Sequence, residues 1–135
     1  MRTLLLSTLL GILPVALLAH GEDKLGPNGG YIRMPGGFHT EVKLAEKNLQ
    51  IYLLDIQWKD PVTEKSKVEV EYKTPSGGAK LACRADQTFF SCELPKGFDK
   101  NTGKLLVMAE RKGMKGARAE YDLPLKLLNQ KDEHS

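Results

Sequence analysis

Lys67-Val68-Glu69-Val70-Glu71-Tyr72-Lys73 is the stretch that decides the fold. Its apolar residues alternate with charged ones at period two, the mark of a strand with one face in a core and the other in water. Lysine and glutamate interleaved on the outer face read as a solvated sheet surface, not as a binding patch. The alternation recurs at Val42 and Leu44, at Leu105, Val107 and Ala109, and at Ala117, Ala119, Tyr121 and Leu123. Turn signals separate these runs: Pro35-Gly36-Gly37, Lys59-Asp60-Pro61, Pro75-Ser76-Gly77-Gly78, Pro95-Lys96-Gly97, Asn101-Thr102-Gly103 and Lys112-Gly113. Turns spaced roughly a dozen residues apart predict an all-β domain, a single immunoglobulin-like or Greek-key β-sandwich of about seven or eight strands. A small closed β-barrel is the alternative. No amphipathic helix pattern is present.

One segment breaks the rhythm. Leu49, Ile51 and Leu53 lie on one phase, and Leu54, Ile56 and Trp58 on the other. A switch of phase within one run predicts a β-bulge or a strand that bends between sheets.

Outward from the β region, the amino terminus has the layout of a secretory signal. Arg2 supplies a positive start, Leu4 to Leu18 an apolar run interrupted by Gly11 and Pro14, and Ala19 a small residue at the expected cut. The run is too short and too broken for a membrane span, and no second apolar stretch follows that could insert once the signal is removed. Cleavage after Ala19 leaves His20 as the first residue; cleavage after Gly21 removes it. The reading is therefore residues 1–19 as signal peptide, 20–30 as an extended arm rich in Gly, Pro and Asn, 31–125 as the sandwich, and 126–135 as a polar tail. The expected location is the periplasm.

Composition excludes several classes. The net charge is +3 and forms no long blocks, so nothing calls for nucleic acid. Gly36-Gly37 and Gly77-Gly78 are turn residues rather than phosphate loops, because no helix pattern follows either pair. With histidines only at 20, 39 and 134, no nucleophile–base set can be assembled, and a non-enzymatic protein is expected. Two cysteines in an exported chain, Cys83 and Cys92, predict a disulfide. Leu81 and Cys83 share one side of one short run, and Phe90, Cys92 and Leu94 one side of the next. A hairpin there sets the sulfurs face to face, and closing so short a loop contributes about 2–3 kcal/mol.

Candidate chemistry gathers near the amino terminus. A leading His20 offers an α-amino and an imidazole nitrogen to one ion, and a second imidazole completes a set that suits copper(II). His39 is the candidate for that second ring. It opens a predicted strand on which His39 and Glu41 project from one face while Val42 and Leu44 turn inward, their bases about 6–7 Å apart. A histidine and a carboxylate on one face also suit zinc. Met34 and Met114, beside Gly-rich turns, are exposed thioether candidates for copper(I), whereas Met108 is expected in the core.

The stretches His20-Gly21-Glu22-Asp23-Lys24, Gly26-Pro27-Asn28-Gly29-Gly30-Tyr31 and Phe38-His39-Thr40-Glu41-Val42 resemble a recurring segment of exported bacterial heavy-metal-handling proteins. In those, a Gly-Pro-His-Gly-Gly turn precedes an aromatic-His-x-Glu strand, as in metal-binding portions of heavy-metal efflux adaptor subunits. The β-sandwich and the leading histidine also look like the CopC-type periplasmic copper carriers. About twenty residues carry the resemblance. It implies a periplasmic protein binding copper, with zinc as the alternative ion, through His39, Glu41, His20 and Asn28. Such a protein acts in sequestration, resistance or delivery, with a heavy-metal efflux or copper-delivery protein as partner. The chain departs from the pattern at Asn28, where the relatives carry histidine. The competing expectation is a cell-envelope protein-interaction module without metal.

Overall fold

A computed structural model describes residues 23–128. In it the stretch that opens the sequence reading is strand β4, Lys67–Thr74, with Val70 and Tyr72 buried and its charged residues outward. It lies between β5, Gly77–Lys80, and β8, Lys104–Arg111, and the register sets apolar against apolar: Val68 faces Ala109, Val70 faces Val107 and Tyr72 faces Leu105. Beyond β8, strand β10, Ala119–Asp122, places Ala119 beside Val107 and Tyr121 beside Leu105; the two-residue β9, Met114–Lys115, folds back on the end of β8.

The second sheet runs in the order β1, Tyr31–Arg33; β2, His39–Leu44; β3, Asn48–Leu54; β7, Phe90–Glu93; and β6, Cys83–Ala85. All pairings are antiparallel, and the chain passes between sheets from β3 to β4, from β5 to β6 and from β7 to β8. Inner faces of the two sheets bury one core, in which Val42, Leu49, Ile51 and Leu53 meet Val70, Tyr72, Leu105 and Tyr121. Polar links also cross between the sheets, among them Thr40 Oγ1, 2.6 Å from the Tyr121 hydroxyl, which also donates to the Thr40 carbonyl at 3.1 Å. Both residues are fully buried, so the bond satisfies groups that would otherwise be stranded.

The sandwich expectation holds, and the sheets do not close into a barrel. The described residues form ten strands instead of seven or eight, the surplus being pieces of two or three residues. Cys83 and Cys92 stand opposite each other in the β6–β7 hairpin and are bonded.

Two expectations need correction. The phase switch in Leu49–Trp58 is neither bulge nor bend, because β3 pairs with β2 without interruption from Leu49 opposite Leu44 to Leu54 opposite His39. The strand is buried on both faces, with Tyr52 and Leu54 joining Ile32 in a second apolar cluster on the outside of the sheet. It then ends, leaving Ile56 exposed and Trp58 in a turn. Met108 is no core residue either: on β8 the inward positions are Leu105, Val107 and Ala109, so Met108 falls on the outer phase and is 47% exposed.

Candidate functional site

The second cluster is where the sequence-predicted residues sit. It is covered by two segments, the loop 23–30 and the turn that follows β3. Asp55 builds that turn. Its Oδ1 accepts from the backbone N–H groups of Gln57 (2.8 Å) and Lys59 (2.9 Å), while its carbonyl accepts from Trp58 N–H at 3.0 Å. The result holds Trp58 at φ 66°, in the left-handed region, which costs a bulky L-residue about 1 kcal/mol or more. Such strain persists only where surrounding bonds impose it. Here Arg111, nearly buried and reaching from the opposite sheet, donates to the Leu53 carbonyl at 3.2 Å, the Asp60 carbonyl at 2.6 Å and Asp60 Oδ2 at 3.0 Å.

His39 lies beneath this turn, 5% exposed. Its Nδ1 is 3.0 Å from the Asp55 carbonyl oxygen. A carbonyl only accepts, so Nδ1 carries a proton, and Nε2 is the ring nitrogen left to act as a ligand. Nε2 makes no hydrogen bond with the described residues. A carbonyl-anchored imidazole whose other nitrogen has no hydrogen-bond partner is the arrangement that orients a histidine for metal ligation. The ring stands edge-on to Trp58, centroids 5.9 Å apart at 72°, and Lys24 Nζ sits over the Trp58 ring at 5.7 Å.

Glu41, one pleat along the same face, is fully buried and answers three N–H donors: Asn28 N (2.8 Å) and Gly30 N (2.8 Å) on Oε2, and Asn28 Nδ2 (2.9 Å) on Oε1. Hydrogen bonding of this kind offsets the cost of burying a carboxylate. The loop can wrap so closely only because of its glycines. A Cβ at Gly26 would lie 2.6 Å from the Glu41 carboxyl carbon, and one at Gly30 would lie 2.7 Å from the Val42 carbonyl oxygen. Tyr52, directly across the strand pair from Glu41, has its hydroxyl pKa raised, by burial first and by the Glu41 charge second.

The structure thus brings Asn28 and Glu41 into direct contact and sets His39 two residues from Glu41 on the same strand face; His20 lies outside the described residues. No group of three or more His, Cys, Asp or Glu side chains placed to hold an ion occurs among the described residues. Met34 and Met114 are about half exposed, as expected, at 51% and 48%. Sequence reading missed Asp55, Trp58, Arg111 and Lys24. The single tryptophan followed by Lys59-Asp60-Pro61 was the available signal for the turn, but nothing local to it points to a histidine sixteen positions upstream of Asp55.

Acid should loosen this turn. Hydrogen bonds from Lys112 and then Arg111 lower the Asp60 pKa below its ordinary 3.8, and the Lys59 backbone N–H does the same to Asp55. Folded values below unfolded ones mean that the stabilisation is complete above about pH 4 and disappears as pH falls through the lowered values. Trp58 emission is expected to shift reversibly below about pH 4 while far-ultraviolet circular dichroism keeps its β signal. An emission spectrum constant down to pH 2 contradicts this.

Searches against protein-family models, curated proteins and solved structures found no match to this chain.

Proposed function

We propose that this is an exported, periplasmic, non-enzymatic protein that binds copper or a similar divalent ion and acts in metal sequestration, resistance or delivery. The observation that carries the reading is His39, whose tautomer is fixed by the Asp55 carbonyl and whose Nε2 is without a hydrogen-bond partner among the described residues. Much of the remaining motif has a role in folding, since the glycines and Asn28 wrap the Glu41 carboxylate. Nδ1 of His39 likewise serves the fold through the Asp55 carbonyl, and Nε2 is the atom of the motif that no such bond accounts for.

One imidazole is too few for tight binding, and the second group in this reading is His20, with its α-amino nitrogen after cleavage at Ala19. Lys24 lies against Trp58, beside His39, and only four positions of chain separate it from His20, which supports His20 as the second group. Zinc is the alternative ion.

The test uses the mature protein without a tag. Copper(II) titration should quench the emission of Trp58, the single tryptophan, at one equivalent, and native mass spectrometry should show one retained ion. His39→Ala should weaken binding at least about 100-fold, measured at a temperature where its circular dichroism still matches that of the wild type. A protein that stays metal-free with both copper(II) and zinc ends the proposal. A second reading, an interaction module, draws on Leu25 and Ile56, which flank this region with 46% and 60% exposure. A partner retained equally with chelator and with metal would favour it.

A further inference from the structure

The ionic surroundings of His39 are unusual for a cation site. The carboxylates around it are committed elsewhere: Glu41, on the same strand face, accepts three N–H groups from Asn28 and Gly30, Asp55 Oδ1 accepts two backbone N–H groups, and Asp60 pairs with Arg111 and Lys112. Lys24 has no ion pair with any described residue; its ammonium rests instead on the Trp58 ring, 5.7 Å from the centroid, and that ring lies 5.9 Å from the His39 ring. These distances put the charge within about 12 Å of the imidazole, near one screening length at 0.1 M salt.

Building on the metal-binding reading of His39, we propose that Lys24 sets the affinity of the site: its ammonium, parked on the indole beside the imidazole, opposes an incoming divalent cation. The contact is a cation–π interaction at an exposed position, weak enough to exchange and strong enough to keep the charge close. The arm that carries Lys24 is anchored just downstream, where Asn28 and Gly30 bond Glu41, so the lysine cannot drift far from the ring. The repulsion follows from charge and distance alone. A unit charge and a divalent ion about 10 Å apart near a protein surface, attenuated over one screening length, change affinity about tenfold. Lys24 therefore holds the site to a moderate affinity, as suits a protein that must release its cargo.

The experiment titrates zinc(II) and copper(II) chlorides into the mature wild type and into Lys24→Met and Lys24→Arg, by calorimetry and Trp58 emission, in 0.1 M and 0.5 M salt. Lys24→Met should bind both ions about tenfold more tightly in low salt, with the gain largely gone in high salt. Lys24→Arg, which keeps the charge and the ring contact, should match the wild type. A lysine that merely orders the arm predicts the opposite, weaker binding by Lys24→Met at either salt. If the wild type binds and Lys24→Met binds equally or less tightly, the role of Lys24 is overturned while the metal reading stands. Binding by Lys24→Met alone supports both, and binding by none of the three proteins overturns both.

Discussion

Glu41→Leu is expected to lower the stability of the fold by about 3–4 kcal/mol. The substitution keeps much of the side-chain volume and removes the acceptor that Asn28 N, Asn28 Nδ2 and Gly30 N all share. Gly30 is buried, so its N–H is left without water or protein to receive it. Glu41→Gln is the informative contrast. Its one carbonyl oxygen can still accept from both backbone N–H groups, and a flipped Asn28 amide can answer its NH2, so the expected loss is only about 1–2 kcal/mol. In a domain of this size each kcal/mol moves the thermal midpoint by about 4–8 °C. The leucine variant should therefore melt at least about 12 °C below wild type, and the glutamine variant should fall between them. Equal midpoints for wild type and Glu41→Leu, by circular dichroism, would sink the assignment of Glu41 as the clamp of the loop.

Arg111→Met is the second large effect, about 2–3 kcal/mol, and its consequence reaches the candidate site. Methionine follows the same path out of the core but cannot donate to Leu53 O, Asp60 O and Asp60 Oδ2. Those bonds tie the turn after β3 to the opposite sheet, and through it they hold Trp58 in its left-handed conformation. Without them the indole should become more accessible to acrylamide and its near-ultraviolet circular dichroism should weaken. Arg111→Lys restores charge without the planar fork and should recover less than half of the loss. An Arg111→Met protein with wild-type quenching would mean that Asp55 alone maintains the turn.

The parts of the fold that could be read from sequence are those with one wet face. Strand β4 announces itself because Lys67, Glu69, Glu71 and Lys73 are solvated while Val70 and Tyr72 are not. Strand β3 does not, because Tyr52 and Leu54 are buried by the loop and turn laid over the outer face, and a doubly buried strand loses its period. Met108 misled for the opposite reason, an apolar side chain on a solvated phase. At the site, His39 and Glu41 were legible as residues sharing a strand face. What each does was not. The Glu41 partners are backbone N–H groups, which have no letter in a sequence, and the His39 anchor is the backbone carbonyl of Asp55. Arg111 acts on the site across more than fifty positions of chain, a relation that only the folded sheets create.

Strand β2 carries a demand on either side of every residue. His39 and Glu41 answer the turn and the loop on the outside, while Thr40 and Val42 answer Tyr121 and the apolar interior on the inside. Adding or removing one residue within 39–42 would exchange those two audiences, sending an imidazole and a carboxylate inward and a valine outward. Natural variants of this chain should therefore keep His-Thr-Glu-Val an indivisible unit of four letters.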